Sequence, residues 1–151
     1  MKKIVIILLA LIFMTGAVSC GRKAVMDLTE MDYSENIESI ASYFDGFDMI
    51  EKVYFKSTEI DNGSLLGPTN LRIVGFVCLS EEETSVLCEN YDFEKKSPQF
   101  PDGISPEITR YTDFNWTSCK EYTNKLLKGN FVGEAYLDTN NGVVYLYVEN
   151  A

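Results

Sequence analysis

The carboxylates and cysteines carry what reactive chemistry this sequence offers, because its 151 residues include no histidine. That absence excludes every Ser-His and Cys-His catalytic arrangement. It also removes the commonest zinc and copper ligand, so metal-assisted hydrolysis would rest on Cys, Asp and Glu alone. Asp113 and Glu121 are the candidates for a carboxylate pair of the glycosidase kind, in which the separation sets the stereochemical outcome. Nothing in the sequence fixes them near each other. Glu81, Glu82 and Glu83 read instead as the acidic first turn of a helix, set against its positive end. Asp138-Thr139-Asn140-Asn141-Gly142 has the oxygen-rich flavour of a calcium loop, but the residues leading to Glu149 read as a strand. A tight turn is therefore expected there, not an EF-hand. No catalytic residue, metal site or cofactor motif emerges.

Four cysteines are present, at 20, 78, 88 and 119. No Cys-x-x-Cys occurs, which excludes a thioredoxin-like site. A Cys78–Cys88 bridge is disfavoured: a helix folding back over its strand would carry position 88 about 12 Å along the axis, and a bridge needs α-carbons within about 7 Å. Cys88–Cys119, between two helices, is the alternative to three buried small apolar side chains. Among the aromatics, Tyr111, Phe114 and Trp116 cluster where a loop leads into a helix. Aromatics so placed either stack on a sugar or protein partner or close the core beneath the loop.

The elements that would hold these residues follow from periodicity. Residues 32–45 place Ile37, Ile40, Ala41 and Phe44 on one helical stripe, with Asp32 and Glu35 as a capping box and Gly46 as the stop. Residues 49–58 alternate as a half-exposed strand, and 71–79 are apolar on both faces, as in a central strand. Gly75 there marks a bulge or a close-packing point. Between them, 59–70 is a loop with two turn signals, Asn62-Gly63 and Gly67-Pro68. Ser80 with Glu83 caps a helix that runs to about Tyr91, burying Val86, Leu87 and Tyr91. Residues 92–114, with Pro98, Pro101 and Pro106, read as irregular. A helix resumes over 117–128, and residues 131–138 and 143–149 form a hairpin around Asn141-Gly142. Val144, Leu146 and Val148 should face the helices, and Val143, Tyr145 and Tyr147 the other way, onto a face that is partly covered or used for contact. The fold class expected is α+β: a mostly antiparallel four-stranded sheet with about three helices packed on one face.

The first 31 residues are of another kind. Met1-Lys2-Lys3 precedes an unbroken apolar run from Ile4 to Met14. A positive start, a short apolar core and small residues at its end make a secretory signal peptide, too short for a transmembrane helix. Ala17-Val18-Ser19-Cys20-Gly21 resembles the lipobox of bacterial lipoproteins. The resemblance covers residues 1–21 and implies cleavage before Cys20, a diacylglyceryl group on its thiol and an acyl group such as palmitate on the new amine. Two or three acyl chains hold a protein firmly at a bilayer where one does not. The organisation expected is a signal peptide at 1–19, a lipidated N-terminus and linker at 20–31, and a single domain at 32–151. Gly21, rather than Asp, would favour the outer membrane if the envelope has one. Asn115-Trp116-Thr117 matches a glycosylation pattern that has no bearing in such a setting.

The mature chain keeps 11 basic and 23 acidic residues, a net charge of −12. It lacks the basic patch that phosphate binding requires, which argues against nucleic acid as a partner. The expected function is a small acidic lipid-anchored binding module on the extracytoplasmic side of the membrane, with a protein or glycan ligand and no catalysis. The alternatives are a carboxylate-dependent hydrolase of cell-wall or glycan material and a structural envelope lipoprotein without a discrete site.

Overall fold

A computed structural model describes residues 33–60, 70–101, 114–127 and 131–150. The signal peptide, Cys20 and the linker lie outside the described residues, as do most of the 59–70 loop, Tyr111 and Asp113.

Helix α1, Ile37–Tyr43, is capped by Asn36, whose side chain accepts from the Ser39 N–H at 3.1 Å. It is shorter than the periodicity predicts. Ile40 and Phe44 are buried, while Ile37 and Ala41 are exposed, so the apolar stripe is narrower than expected. Strands β1 (Ile50–Ile60) and β2 (Asn70–Leu79) pair antiparallel from Ile50↔Leu79 to Ile60↔Asn70. Gly75 sits opposite Phe55, and a β-carbon on it would lie 2.5 Å from the Phe55 β-carbon. The glycine is there because the two strands approach too closely for any side chain.

Helix α2, Glu81–Asn90, begins where the sequence places it: the Ser80 hydroxyl accepts from the Glu83 N–H at 3.1 Å. It buries Leu87 and leaves Val86 exposed. Two short strands follow, β3 (Glu94–Lys95) and β4 (Trp116–Ser118), then helix α3 (Lys120–Leu127). Strands β5 (Phe131–Asp138) and β6 (Val143–Asn150) form the expected hairpin. The sheet order is β1-β2-β6-β5-β4-β3, with every neighbouring pair antiparallel. The last described strand in sequence thus lies inside the sheet, between β2 and β5.

The expected four-stranded sheet is corrected: among the described residues six strands form and strand outweighs helix. The additional pair, β3 and β4, is only two and three residues long, so neither shows an alternation to read. Trp116-Thr117-Ser118 was expected within or just before a helix because Cys119, Tyr122 and Leu126 continue that spacing. Instead Trp116 and Thr117 pair with Asp138 and Leu137 of β5, and the Thr117 hydroxyl donates to the Leu137 carbonyl at 2.9 Å.

The sheet carries an apolar cluster on each face. One joins Val53, Phe55, Ile73, Val77, Val144, Leu146 and Val148 to residues at the three described helices: Ile40, Phe44, Leu87, Tyr122 and Leu126. The other is largely aromatic. Tyr54, Phe76, Trp116, Tyr136 and Tyr145 form it, with Phe100, Phe114 and Tyr147 packed against them.

Candidate functional site

Period-two alternation in β5 and β6 builds the site. Glu134 and Tyr136 project from the same face of β5, and Tyr145 and Tyr147 from the same face of β6. The hairpin register sets Tyr136 opposite Tyr145 and Glu134 opposite Tyr147, and β2 adds Phe76 on the far side of Tyr145. Cross-strand pairing therefore gathers three tyrosines and one carboxylate into a patch.

A strap of chain, Lys96 to Pro101, crosses this face. It is pinned at its start, where the Lys96 N–H donates to the Trp116 carbonyl at 3.1 Å. It is pinned again at Phe100, whose ring lies 4.8 Å from that of Tyr145 and 6.1 Å from that of Trp116. Between strap and strands runs a groove of about 660 Å³. Lys96, Ser97, Gln99 and Phe100 line one side, and Glu134, Tyr136, Tyr145 and Tyr147 line the other.

The groove's charges are paired. Lys96 Nζ lies 2.5 Å from Glu134 Oε1 and 5.3 Å from the centre of the Tyr136 ring. The Tyr136 hydroxyl donates to Glu134 Oε2. Lys96 and the Tyr136 hydroxyl hold the Glu134 carboxyl below the usual range, and the same Glu134 holds the Lys96 ammonium above its own. Burial, followed by the Glu134 bond, pushes the Tyr136 phenol up. Beyond Tyr147 stands a second ion pair, with Arg72 Nη2 at 2.6 Å from Glu149 Oε1 and the guanidinium 5.7 Å from the Tyr147 ring centre. At the inner side, Tyr145 is fully buried and its hydroxyl has no hydrogen-bond partner among the described residues. Burial raises its pKa, with the neighbouring tyrosines adding to the shift.

The residues singled out in the sequence fall as follows. Trp116 is buried and Phe114 half-buried. Their rings stack at 5.3 Å and 13°, against the aromatic cluster and beside the groove rather than lining it. Tyr111, the third of that set, is outside the described residues, and so is Asp113. Glu121 is exposed on α3. Cys78, Cys88 and Cys119 form no disulfide with one another; Cys119 is buried and Cys88 exposed. Among the described residues, no group of three or more Cys, Asp or Glu side chains converges as a metal site.

Asp138, read only as part of a turn, is a structural node. Its side chain is fully buried. It accepts from the Asn115 N–H at 2.7 Å, the Asn140 N–H at 3.2 Å and the Asn141 side-chain amide at 2.5 Å. One carboxylate thereby closes the β5–β6 turn and ties the chain entering β4 to it. On the helical side, Glu83 is also buried, and desolvation followed by the Asp48 carboxylate raises its pKa.

The groove residues missed in the sequence divide into two kinds. The alternation of Phe131–Asp138, taken with the hairpin register, could have put Glu134 and Tyr136 beside Tyr145 and Tyr147. Lys96 and Gln99 left no such trace, because an irregular strap has no periodicity. Comparison with protein-family models, curated proteins and solved structures finds no match to this chain.

Proposed function

We propose that this chain is a small acidic lipoprotein, tethered through Cys20 to the extracytoplasmic face of a membrane, whose tyrosine-lined groove binds a ligand without catalysis. In a two-membrane envelope the anchor is in the outer membrane. The observation that carries the binding reading is the groove itself: aromatic surface beside a small number of fixed polar groups, the usual make-up of a ligand site. Its ionisable groups favour hydrogen bonding over proton transfer. Glu134 is held in its charged form, as is Lys96, and the Tyr136 phenol is held neutral. A general acid or base works best with a pKa near the operating pH, and each of these three is displaced away from neutrality. The tether reading is supported by Ala17-Val18-Ser19-Cys20 after its apolar run.

Two measurements test the two halves. Replacing Cys20 by Ser should move the protein from the membrane fraction to the soluble one; continued sedimentation with membranes would overturn the anchor. Incubating the purified protein with cell-wall polymer should leave its chain-length distribution unchanged by mass spectrometry. Shortened products would establish the hydrolase alternative in place of the non-catalytic one.

A further inference from the structure

We propose that Asn141 is a site of spontaneous modification, deamidation to aspartate or isoaspartate, and that Asp138 holds the reaction off in the folded chain. The reactive pair is Asn141-Gly142. In such a pair the glycine nitrogen attacks the asparagine side-chain carbonyl carbon. A C–N bond forms and closes a cyclic imide. The bond to the amide nitrogen breaks, and that nitrogen leaves as ammonia with the glycine N–H proton. Water then opens the imide at either carbonyl, giving aspartate or an isoaspartate with an extra methylene in the main chain. Water is the sole co-reactant. Glycine is the most permissive successor, because it brings no side chain to hinder its nitrogen. At position 142 the fold requires it. Gly142 has φ +65°, and a β-carbon on it would lie 2.6 Å from the Thr84 hydroxyl and 3.2 Å from the Leu79 carbonyl oxygen. Thr84 is buried and its hydroxyl donates to the Ser80 carbonyl at 2.8 Å, so it is not free to swing aside. The start of α2, packed on the hairpin turn, thus fixes a glycine after Asn141.

The same turn restrains both reacting groups. The Asn141 side-chain amide donates to Asp138 Oδ2 at 2.5 Å, which ties down the group to be attacked. The nucleophile is tied as well: the Gly142 N–H donates to the Asp138 carbonyl at 2.9 Å. Gly142 is buried, and its own carbonyl accepts from the Leu79 N–H at 2.8 Å. To attack, the Gly142 nitrogen must shed its proton to water and turn toward the Asn141 side chain. Both require the turn to open, a local event distinct from global unfolding. Conversion then works against reclosure. The amide donor becomes a carboxylate facing Asp138, which is fully buried. A hydrogen bond is replaced by two like charges where burial leaves little screening. Asp138 Oδ1 also accepts from the Asn115 N–H at 2.7 Å and the Asn140 N–H at 3.2 Å. The change should therefore loosen the entry to β4 along with the turn.

The test is peptide mapping by mass spectrometry after the purified full chain has stood at neutral pH in water enriched in heavy oxygen, which marks each new carboxylate. Mapping separates Asn141 from Asn62-Gly63, the other such pair. A free peptide, Thr-Asn-Asn-Gly-Val, sets the unrestrained rate. With two hydrogen bonds to break, the folded chain should convert Asn141 at least about tenfold more slowly than the peptide. In denaturant it should match the peptide, a comparison that needs no variant to fold. Asp138→Asn keeps an oxygen for Asn115 and Asn140 but turns an amide toward Asn141. It should convert severalfold faster than wild type, with its thermal unfolding still cooperative. Asn141→Asp, the product itself, should exchange the Asn115 amide and those of the 139–142 turn faster than wild type. Conversion of the folded wild type at the peptide's rate overturns the restraint. A folded Asp138→Asn that converts no faster than wild type overturns the role of Asp138. Absence of conversion in denaturant overturns the site itself. Unchanged Asn115 exchange in Asn141→Asp overturns the coupling to β4.

Discussion

The two faces of the sheet are built from the same strands and solve burial differently. On the helical face, Ile40, Ile73, Leu126, Leu137, Val144, Leu146 and Val148 have no exposed surface, and three helices close over them. On the opposite face the layer is aromatic, and among the described residues what packs on it is chain without helix: the strap at Phe100 and the segment at Phe114. Aliphatic side chains interlock and exclude everything else. Tyrosines bring hydroxyls that need partners, and of the groove tyrosines Tyr136 and Tyr145 are buried and Tyr147 half-buried. One face thus carries the interlocked aliphatic core, and the other an aromatic layer that holds the groove proposed above as a binding site.

That division can be broken by substitution. The largest effect is expected on the helical face. Leu146→Ala removes a fully buried side chain and should cost about 3 kcal/mol, read as a shift of the denaturant midpoint. A loss comparable to that of a surface substitution would mean that the helices do not close the core as described. Next comes Asp138→Ala, which strands three donors at once and should cost about 2 kcal/mol. Because Asn115 is one of the three, amide exchange in β4 should accelerate along with exchange in the 139–142 turn. Acceleration confined to the turn would show that the carboxylate does not hold β4.

A third test reads pH. Glu83 is a carboxyl whose pKa is raised in the folded state, chiefly by burial. The folded protein therefore holds its proton more tightly than the unfolded chain does. The stabilisation is complete below the ordinary carboxyl value of 4.5 and is lost as pH rises through the folded value. Glu83→Gln should flatten this slope, so that the variant gains on the wild type as pH rises from 4.5 toward neutrality. A gap in melting temperature that is constant across that range would refute the assignment. The smallest effect belongs to the open face. Lys96→Ala breaks an ion pair whose side chains are about half exposed, and should change stability by less than about 1 kcal/mol. A larger loss would mean that the strap is part of the core and not a wall of the groove.

The same contrast marks what the sequence made legible. The helical face could be read because its parts are long and regular: the Ser80 cap, the apolar 71–79 strand and the hairpin around Gly142 each carry a local physical signal. The alternation in β6 is enough to assign Val144, Leu146 and Val148 to one cluster and Tyr145 and Tyr147 to the other. β3 and β4 were not legible, since two or three residues cannot show a period, and their pairing depends on where β5 happens to lie. Trp116 illustrates the limit. Its type and place favoured core closure over contact without deciding between them, and the stacking on Phe114 and the cover from Phe100 show it buried. The groove was half legible for the same reason: its strand side follows from alternation and register, while its strap side depends on a tertiary crossing with no local signature.

The placement of β6 has a bearing on how the chain reaches its folded form. It is the last described strand in sequence, yet both of its long edges are occupied, by β2 from Arg72↔Glu149 to Cys78↔Val143 and by β5 along its whole length. The β1–β2 hairpin can form early from local contacts, but it cannot join β5 until Val143–Asn150 is available to lie between them. Ordering that many distant pairs slows folding. The β1–β2 half and the β5–β4–β3 half of the sheet therefore stay apart until Val143–Asn150 inserts between them, so closure of the sheet waits on that one strand.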